Sequence, residues 1–227
     1  MDIILVLDFG GQYTHLIAWR IRDLGVYSEI LPFDAPINKI DALKPKAIVL
    51  SGGPSSVYEK DAPALSEPFF QYLESNKIPL LGLCYGHQLI GQFYQGKVAP
   101  HQEKEYGKTL FKPARTDYLF KGLEQEELVW MSHGDQVDEL PPGFVLFGST
   151  ESCPIAAMGH LEKRIYGLQF HPEVQHTKHG NLILENFVVE ICQLKRDWKI
   201  ENWIESSIKE IQQTVGDKQV ILGLSGG

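Results

Sequence analysis

The sequence predicts an α/β protein: an open, mostly parallel sheet with helices on both faces and an antiparallel extension. Three observations predict it. Five-residue strand candidates at Ile3–Leu7, Lys46–Leu50 and Pro79–Leu83, apolar at their centres, lack the polar alternation of a half-exposed strand, as strands covered on both faces should. Helical patterns alternate with the strands in the first half, the order that builds a parallel sheet. Two glycine-rich turns, Ser51-Gly52-Gly53-Pro54 and Gly82-Leu83-Cys84-Tyr85-Gly86, fall at strand carboxyl ends, where such sheets bind ligands.

Taken in order, Ile3–Leu7 is the first strand. Asp8, Gly10 and Gly11 turn the chain into a helix through Leu24, with Leu16, Ile17, Ile21 and Leu24 at helical spacing. Val26–Leu31 is a second strand and Ile37–Leu43 a short helix. Lys46–Leu50 is the third strand, Ala62–Ser75 a helix, and Pro79–Leu83 the fourth strand, with a helix opening at Tyr85–Gly86. After Gly96 the pattern changes to short strands without intervening helices: Lys108–Lys112, Leu128–Met131, Val145–Ser149, Ile155–Met158 and Arg164–Phe170. These read as antiparallel ribbons that extend or cover the main sheet. Gly180–Leu194 is a helix whose apolar positions include Leu184, Phe187, Val188 and Ile191.

The charged stretch Lys195–Lys199 marks a domain boundary, giving one domain over 1–197 and the start of another over 198–227. The second piece opens with an amphipathic helix (Ile200, Trp203, Ile204, Ile208, Ile211, Val215) that ends at Gly216–Asp217. A buried-type strand at Val220–Leu224 and a glycine turn, Ser225-Gly226-Gly227, follow. One helix and one strand cannot enclose a core, so this piece reads as an incomplete domain.

Composition narrows the function. A formal net charge of −8, with 22% charged residues, argues against nonspecific binding to nucleic acid or anionic membrane. No apolar run approaches the roughly 20 residues of a membrane span. The first residues, MDIILVLDFGG, carry an acid and no basic region, which reads as a strand rather than a secretory signal. Three cysteines, Cys84, Cys153 and Cys192, do not form a disulfide framework, and a reducing cytoplasm is expected.

The chemistry centres on Cys84. Gly82 and Gly86 flank it symmetrically in a G-x-C-x-G pattern, the cysteine version of the nucleophile elbow. A strained strand-to-helix turn lifts the sulfur above the sheet edge, and the helix N-terminus favours thiolate over thiol. The alternative is a buried structural cysteine beside turn glycines. A base and an orienting group are available in Gln169-Phe170-His171-Pro172-Glu173, where Glu173 can fix the His171 tautomer. The same run also fits a surface histidine before a turn proline.

Oxyanion donors would be the backbone N–H of Tyr85 and that of Gly53, although the Gly-Gly turn can equally serve geometry alone. Ser132-His133-Gly134-Asp135 is either a polar turn or a loop presenting a carboxylate to a zwitterionic ligand. His171, His176 and His179 match no standard zinc spacing, so no metal site is assigned. His87 is read as a packing or capping residue, and Cys153 and Cys192 as buried thiols.

GLCYGHQ at 82–88, SGGP at 51–54 and QFHPE at 169–173 together resemble the class I, triad-type glutamine amidotransferases. The resemblance implies a flavodoxin-like sheet and hydrolysis of glutamine to glutamate and ammonia through a cysteinyl thioester. It implies Cys84, His171 and Glu173 as catalytic residues and Gly53 and Tyr85 as the oxyanion hole. It places Gly52, Gln88, His133, Gly134 and Asp135 around the glutamine, with no cofactor in this domain.

DFGGQYTHLIAWRIRDLG at 8–25, SGGPSSVY at 51–58 and MSHGDQV at 131–137 resemble the branch whose ammonia aminates XMP to GMP. Ser225, Gly226 and Gly227 resemble the start of that branch's ATP pyrophosphatase loop. ATP and Mg2+, a synthetase domain of the same polypeptide as partner, and a homodimer built through that region follow as implications. So does slow glutamine hydrolysis by this piece alone. Rival readings are a glutaminase serving another synthetase, or a silent module used for binding.

Overall fold

The computed structural model describes residues 2–223, apart from the side chains at 101–103, 202, 206 and 210. Among the described residues nine strands, numbered in chain order, form one sheet in the order β2-β1-β3-β4-β9-β8-β7-β5-β6. β1 (Ile3–Asp8), β2 (Tyr27–Pro32), β3 (Ala47–Leu50), β4 (Leu80–Leu83) and β9 (Ile165–Leu168) run parallel. β5 (Lys97–Pro113), β6 (Glu127–Glu139), β7 (Val145–Ser149) and β8 (Ala157–His160) continue the sheet antiparallel. The predicted class and the antiparallel extension are both present.

The apolar runs are explained by burial on two sides. Ile4 and Val6 face α1 (Thr14–Asp23) and α5 (Gly180–Glu185), in a core with Ile17, Ile21, Ile183 and Leu184. Leu5 and Leu7 face the other way, in a core with Ile40 of α2 (Ile37–Leu43), Phe69 and Phe70 of α3 (Glu67–Asn76), and Leu89 and Ile90 of α4 (Tyr85–Phe93). Successive strand residues point to opposite faces, so a strand with a helix layer on each side needs no polar positions.

Five elements differ from expectation. α3 begins at Glu67 rather than at residue 62, with Ser66 as N-cap and Pro68 in the first turn. Pro68 sets that limit, since its ring would collide with a helical carbonyl one turn upstream. β5 and β6 are far longer than the predicted Lys108–Lys112 and Leu128–Met131, and their register shifts between Pro100 and Glu105. Cross-strand pairing sustains this polar hairpin where apolar patterning gives no signal.

The predicted helix over 180–194 forms as α5 followed by a π-helical stretch, Asn186–Ile191. There the buried Asn186 amide donates to the carbonyls of Leu119 and Lys121, each at 2.9 Å. α6 (Ile200–Val215) forms as read, but residues 220–223 of the predicted strand Val220–Leu224 are exposed and unpaired. Among the described residues no strand pairs with them, and a strand without a neighbour has no ladder to hold it. Leu224 and the predicted loop Ser225, Gly226 and Gly227 lie outside the described residues.

Candidate active site

Cys84 caps α4 with φ 52° and ψ −103°, a left-handed conformation that costs a non-glycine residue on the order of 1–3 kcal/mol. Tertiary bonds hold it there. Its N–H donates to Leu168 O on β9 at 2.7 Å, and Gly86 N–H donates to Ser51 O at 3.2 Å. The flanking glycines are steric necessities. A Cβ on Gly82 would fall on the carbonyl of Gly86, and one on Gly86 would sit 2.6 Å from Leu50 Cβ and 2.7 Å from Leu50 O. Strand and helix therefore meet closely enough to aim the side chain of Cys84 into the cleft above the sheet.

That cleft, about 690 Å³, is lined by residues the sequence reading assembled from separate motifs: Gly52, Gly53, Cys84, Tyr85, Gln88, His133, Gly134, Asp135 and His171. Glu173 is fully buried behind His171, outside the lining. The His171 Nδ1 lies 2.7 Å from Glu173 Oε1, and the ring shares the cleft with the Cys84 side chain. Three more contacts fix this residue. Its backbone N–H donates to Trp130 O at 3.0 Å, its carbonyl accepts from Thr177 Oγ1 at 2.6 Å, and Tyr13 meets its ring edge-on at 5.0 Å. Burial opposes a charge on His171, but the Glu173 carboxylate and the Cys84 sulfur more than offset it, holding its pKa well above the ordinary histidine value.

Gly52 and Gly53 bring the second wall close. A Cβ on Gly52 would lie 3.2 Å from His171 Cε1 and 3.7 Å from Cys84 Cβ, so any side chain there would crowd both reactive groups. A Cβ on Gly53 would lie 2.8 Å from Phe9 O. Tyr85 is the first residue of α4, so its N–H has no partner within the helix.

Opposite, residues 132–135 are neither the turn nor the loop expected from the sequence but the middle of strand β6, paired with β5 and held from three sides. Gln88 Nε2 donates to Asp135 O at 2.7 Å, His133 Nδ1 lies 3.0 Å from the same oxygen, and Tyr58 donates its hydroxyl to Asp135 Oδ1 at 2.8 Å. The second nitrogen of His133 faces Glu105 Oε2 at 3.1 Å. Both ring nitrogens are thus committed to the protein, and the ring's place is to shape the wall that carries Asp135.

Sequence reasoning missed Glu105, Tyr58, Gln169 and Arg20, whose Nε donates to Glu173 O at 2.9 Å. Tyr58, Gln169 and Arg20 lie inside the motifs given above without a role. Glu105 carries no signal at all.

His171, His176 and His179 do not converge. His176 stacks on Trp130 at 4.6 Å, and His179 pairs with Glu127 at 2.7 Å. Among the described residues, Glu105, His133 and Cys153 bring possible metal donors within 4.8 Å of one another. Glu105 is nevertheless occupied by His133 and by the Thr150 hydroxyl at 3.1 Å, and burial pushes the Cys153 thiol up to about 12. Burial raises the Cys192 thiol as well.

His87, in the first turn of α4, is completely buried, with Nε2 3.1 Å from Ile155 O. Desolvation depresses its pKa to about 3. The folded state therefore keeps it neutral where an unfolded chain protonates it, below about pH 6.5. This contribution is complete above pH 6.5 and is lost as pH falls, at up to about 1.4 kcal/mol per pH unit. Urea midpoints measured between pH 7 and pH 5 should fall for the wild type and flatten for His87→Gln. Parallel curves for the two proteins would contradict the assignment.

A cysteine on a strained elbow, a carboxylate-backed histidine and a glycine-lined wall on a parallel sheet define a class. The model for "Glutamine amidotransferase class-I" matches residues 5–191, and the chain belongs to that family. It is 51% identical over 226 residues to a GMP synthase [glutamine-hydrolyzing] of Caldicellulosiruptor saccharolyticus, and 49% identical over 227 residues to one of Brachyspira hyodysenteriae. Each alignment covers 100% of this chain and 43% of the relative, so the chain spans less than half the length of these relatives. A solved structure from Thermoplasma acidophilum, described as a putative GMP synthase subunit, superposes with a TM-score of 0.72 at 34% identity. That match covers 94% of this chain and 98% of the other. A glutamine amidotransferase of Thermotoga maritima, at 19% identity and TM-score 0.60 over 93% of this chain and 92% of its own, shares the fold.

Proposed function

We propose that the chain hydrolyses glutamine through Cys84 and delivers the ammonia to ATP-dependent amination of XMP to GMP. The observation that carries the first half is Cys84, at its positive φ, sharing one cleft with a histidine whose Nδ1 lies 2.7 Å from the buried Glu173. The second half is supported by about 50% identity to GMP synthases along the whole chain. On this reading residues 1–197 are the glutaminase domain and 198–227 begin the synthetase domain. That domain binds ATP, Mg2+ and XMP through residues beyond those described, and it carries a homodimer contact. Three free cysteines, one of them the nucleophile, suit a reducing cytoplasm. Among the described residues no helix is long and apolar enough to cross a membrane.

The geometry performs the reaction in two halves. Asp135 takes the substrate α-ammonium, while Gly52, Gln88, Gly134 and the His133 backbone frame the rest of its amino-acid end. The Cys84 thiolate adds to the side-chain amide carbon, and the N–H groups of Tyr85 and Gly53 receive the developing oxyanion. His171, held as imidazolium by Glu173, gives its proton to the departing nitrogen, releasing ammonia and leaving a γ-glutamyl thioester. Water then attacks the thioester carbon as His171 takes its proton, and glutamate leaves with the sulfur restored.

Acivicin, a glutamine-like electrophile, tests the assignment. Peptide mass spectrometry should find it on Cys84 alone, with glutamate release from glutamine abolished in parallel. Modification of Cys153 or Cys192 in place of Cys84 would overturn it.

A further inference from the structure

We infer that Gln169 is a tuning residue for the nucleophile, donating an amide N–H to the Cys84 sulfur and stabilising its thiolate form. Gln169 is fully buried, and its Nε2 lies 3.7 Å from Cys84 Sγ. The direction of that amide is dictated by a relay that starts at the opposite wall. The carbonyl of Asp135 can only accept, so the Gln88 atom 2.7 Å away is its NH2 group. The second hydrogen of the same NH2 faces Gln169 at 3.2 Å, so the Gln169 atom there is its carbonyl oxygen. Gln169 is then forced to turn its own NH2 toward the sulfur.

The sulfur has two competing environments. Ser132 O, 3.6 Å away, suits a thiol that donates S–H. The Gln169 N–H and the His171 ring suit an anion that accepts. Gln169 thus weights the balance toward the reactive form, as a hydrogen bond to a charged acceptor is stronger than one to a neutral acceptor. The same relay ties the sulfur to the backbone of Asp135, the residue placed on the substrate ammonium. The inference rests on Cys84 being the nucleophile, and it is read without turnover.

The test is the pH dependence of Cys84 alkylation by iodoacetamide, followed by peptide mass spectrometry on the folded protein. Gln169→Met keeps the volume and removes the donor. Gln169→Glu keeps the shape and puts an acceptor against the sulfur. Around the sulfur, His171 with Glu173, His133 and Asp135 on β6, Lys104 on β5 and Tyr58 beside the Gly-Gly loop are the same in all three proteins. Gln169→Met should move the half-maximal pH up by about one unit, roughly tenfold slower alkylation below it, and Gln169→Glu should move it at least as far. Unchanged profiles in the variants that fold, judged by their thermal transitions, would overturn the inference. If Gln169→Met does not fold, the isosteric Gln169→Glu decides alone. A normal alkylation shift with no glutaminase activity in the wild type would leave the tuning intact and fault the proposed function instead.

Discussion

Cys84→Ser and His171→Gln are each expected to reduce glutamine hydrolysis by roughly four orders of magnitude or more, and the double variant should be no worse than either alone. The reason is that the sulfur and the imidazole act as one unit. Without His171 the departing nitrogen has no proton donor, and without the sulfur there is no thioester for the histidine to help resolve. Glutamate release measured on all three proteins gives the answer. On the proposed function, GMP formation from XMP with ammonium salts in place of glutamine should survive the same substitutions, because glutamine hydrolysis is then bypassed. Losses that simply multiply in the double variant would show two independent roles. Loss of the ammonium-dependent reaction would point to a folding defect rather than a missing nucleophile.

The second large effect concerns folding. Gly82→Ala should destabilise the domain by several kcal/mol, a large share of the ~5–15 kcal/mol available to a protein of this kind. The added methyl group would land on the Gly86 carbonyl and lie 2.7 Å from Ile90 Cδ1, so β4 or α4 must shift. For a domain of this size, a loss of about 4 kcal/mol lowers the Tm by roughly 8–16 °C. Gly107→Ala is the comparison. Its φ of +109° makes alanine unfavourable, but nothing lies within 4 Å of the added carbon. A cost on the order of 1 kcal/mol is expected there. Equal Tm shifts for the two variants would remove the steric account of the elbow.

What was legible in the sequence was whatever is contiguous. The elbow needs only β4, Cys84 and the start of α4, and His171 and Glu173 are two residues apart, so both could be read as short motifs. The apolar runs of β1, β3 and β4 declared a sheet covered on both faces. The relay from Asp135 through Gln88 to Gln169 was not legible, because its members meet only through the placement of β6, α4 and β9 in space. Arg20 finds the carbonyl of Glu173 across 153 positions of sequence by the packing of α1 against the segment after β9. Over residues 220–223 the strand expected from apolarity is not formed, because apolarity states what a segment can do but not whether a neighbour is there to pair with it.

The pairing of β4 with β9 also sets a timetable for biosynthesis. Translation delivers Cys84 long before residues 165–173, and until β9 slots in beside β4 the cysteine lacks both its anchor on Leu168 and its histidine. A nascent chain on the ribosome therefore carries a thiol with no base beside it. The assembled site exists only once residues 165–173 have been made and β9 is in place.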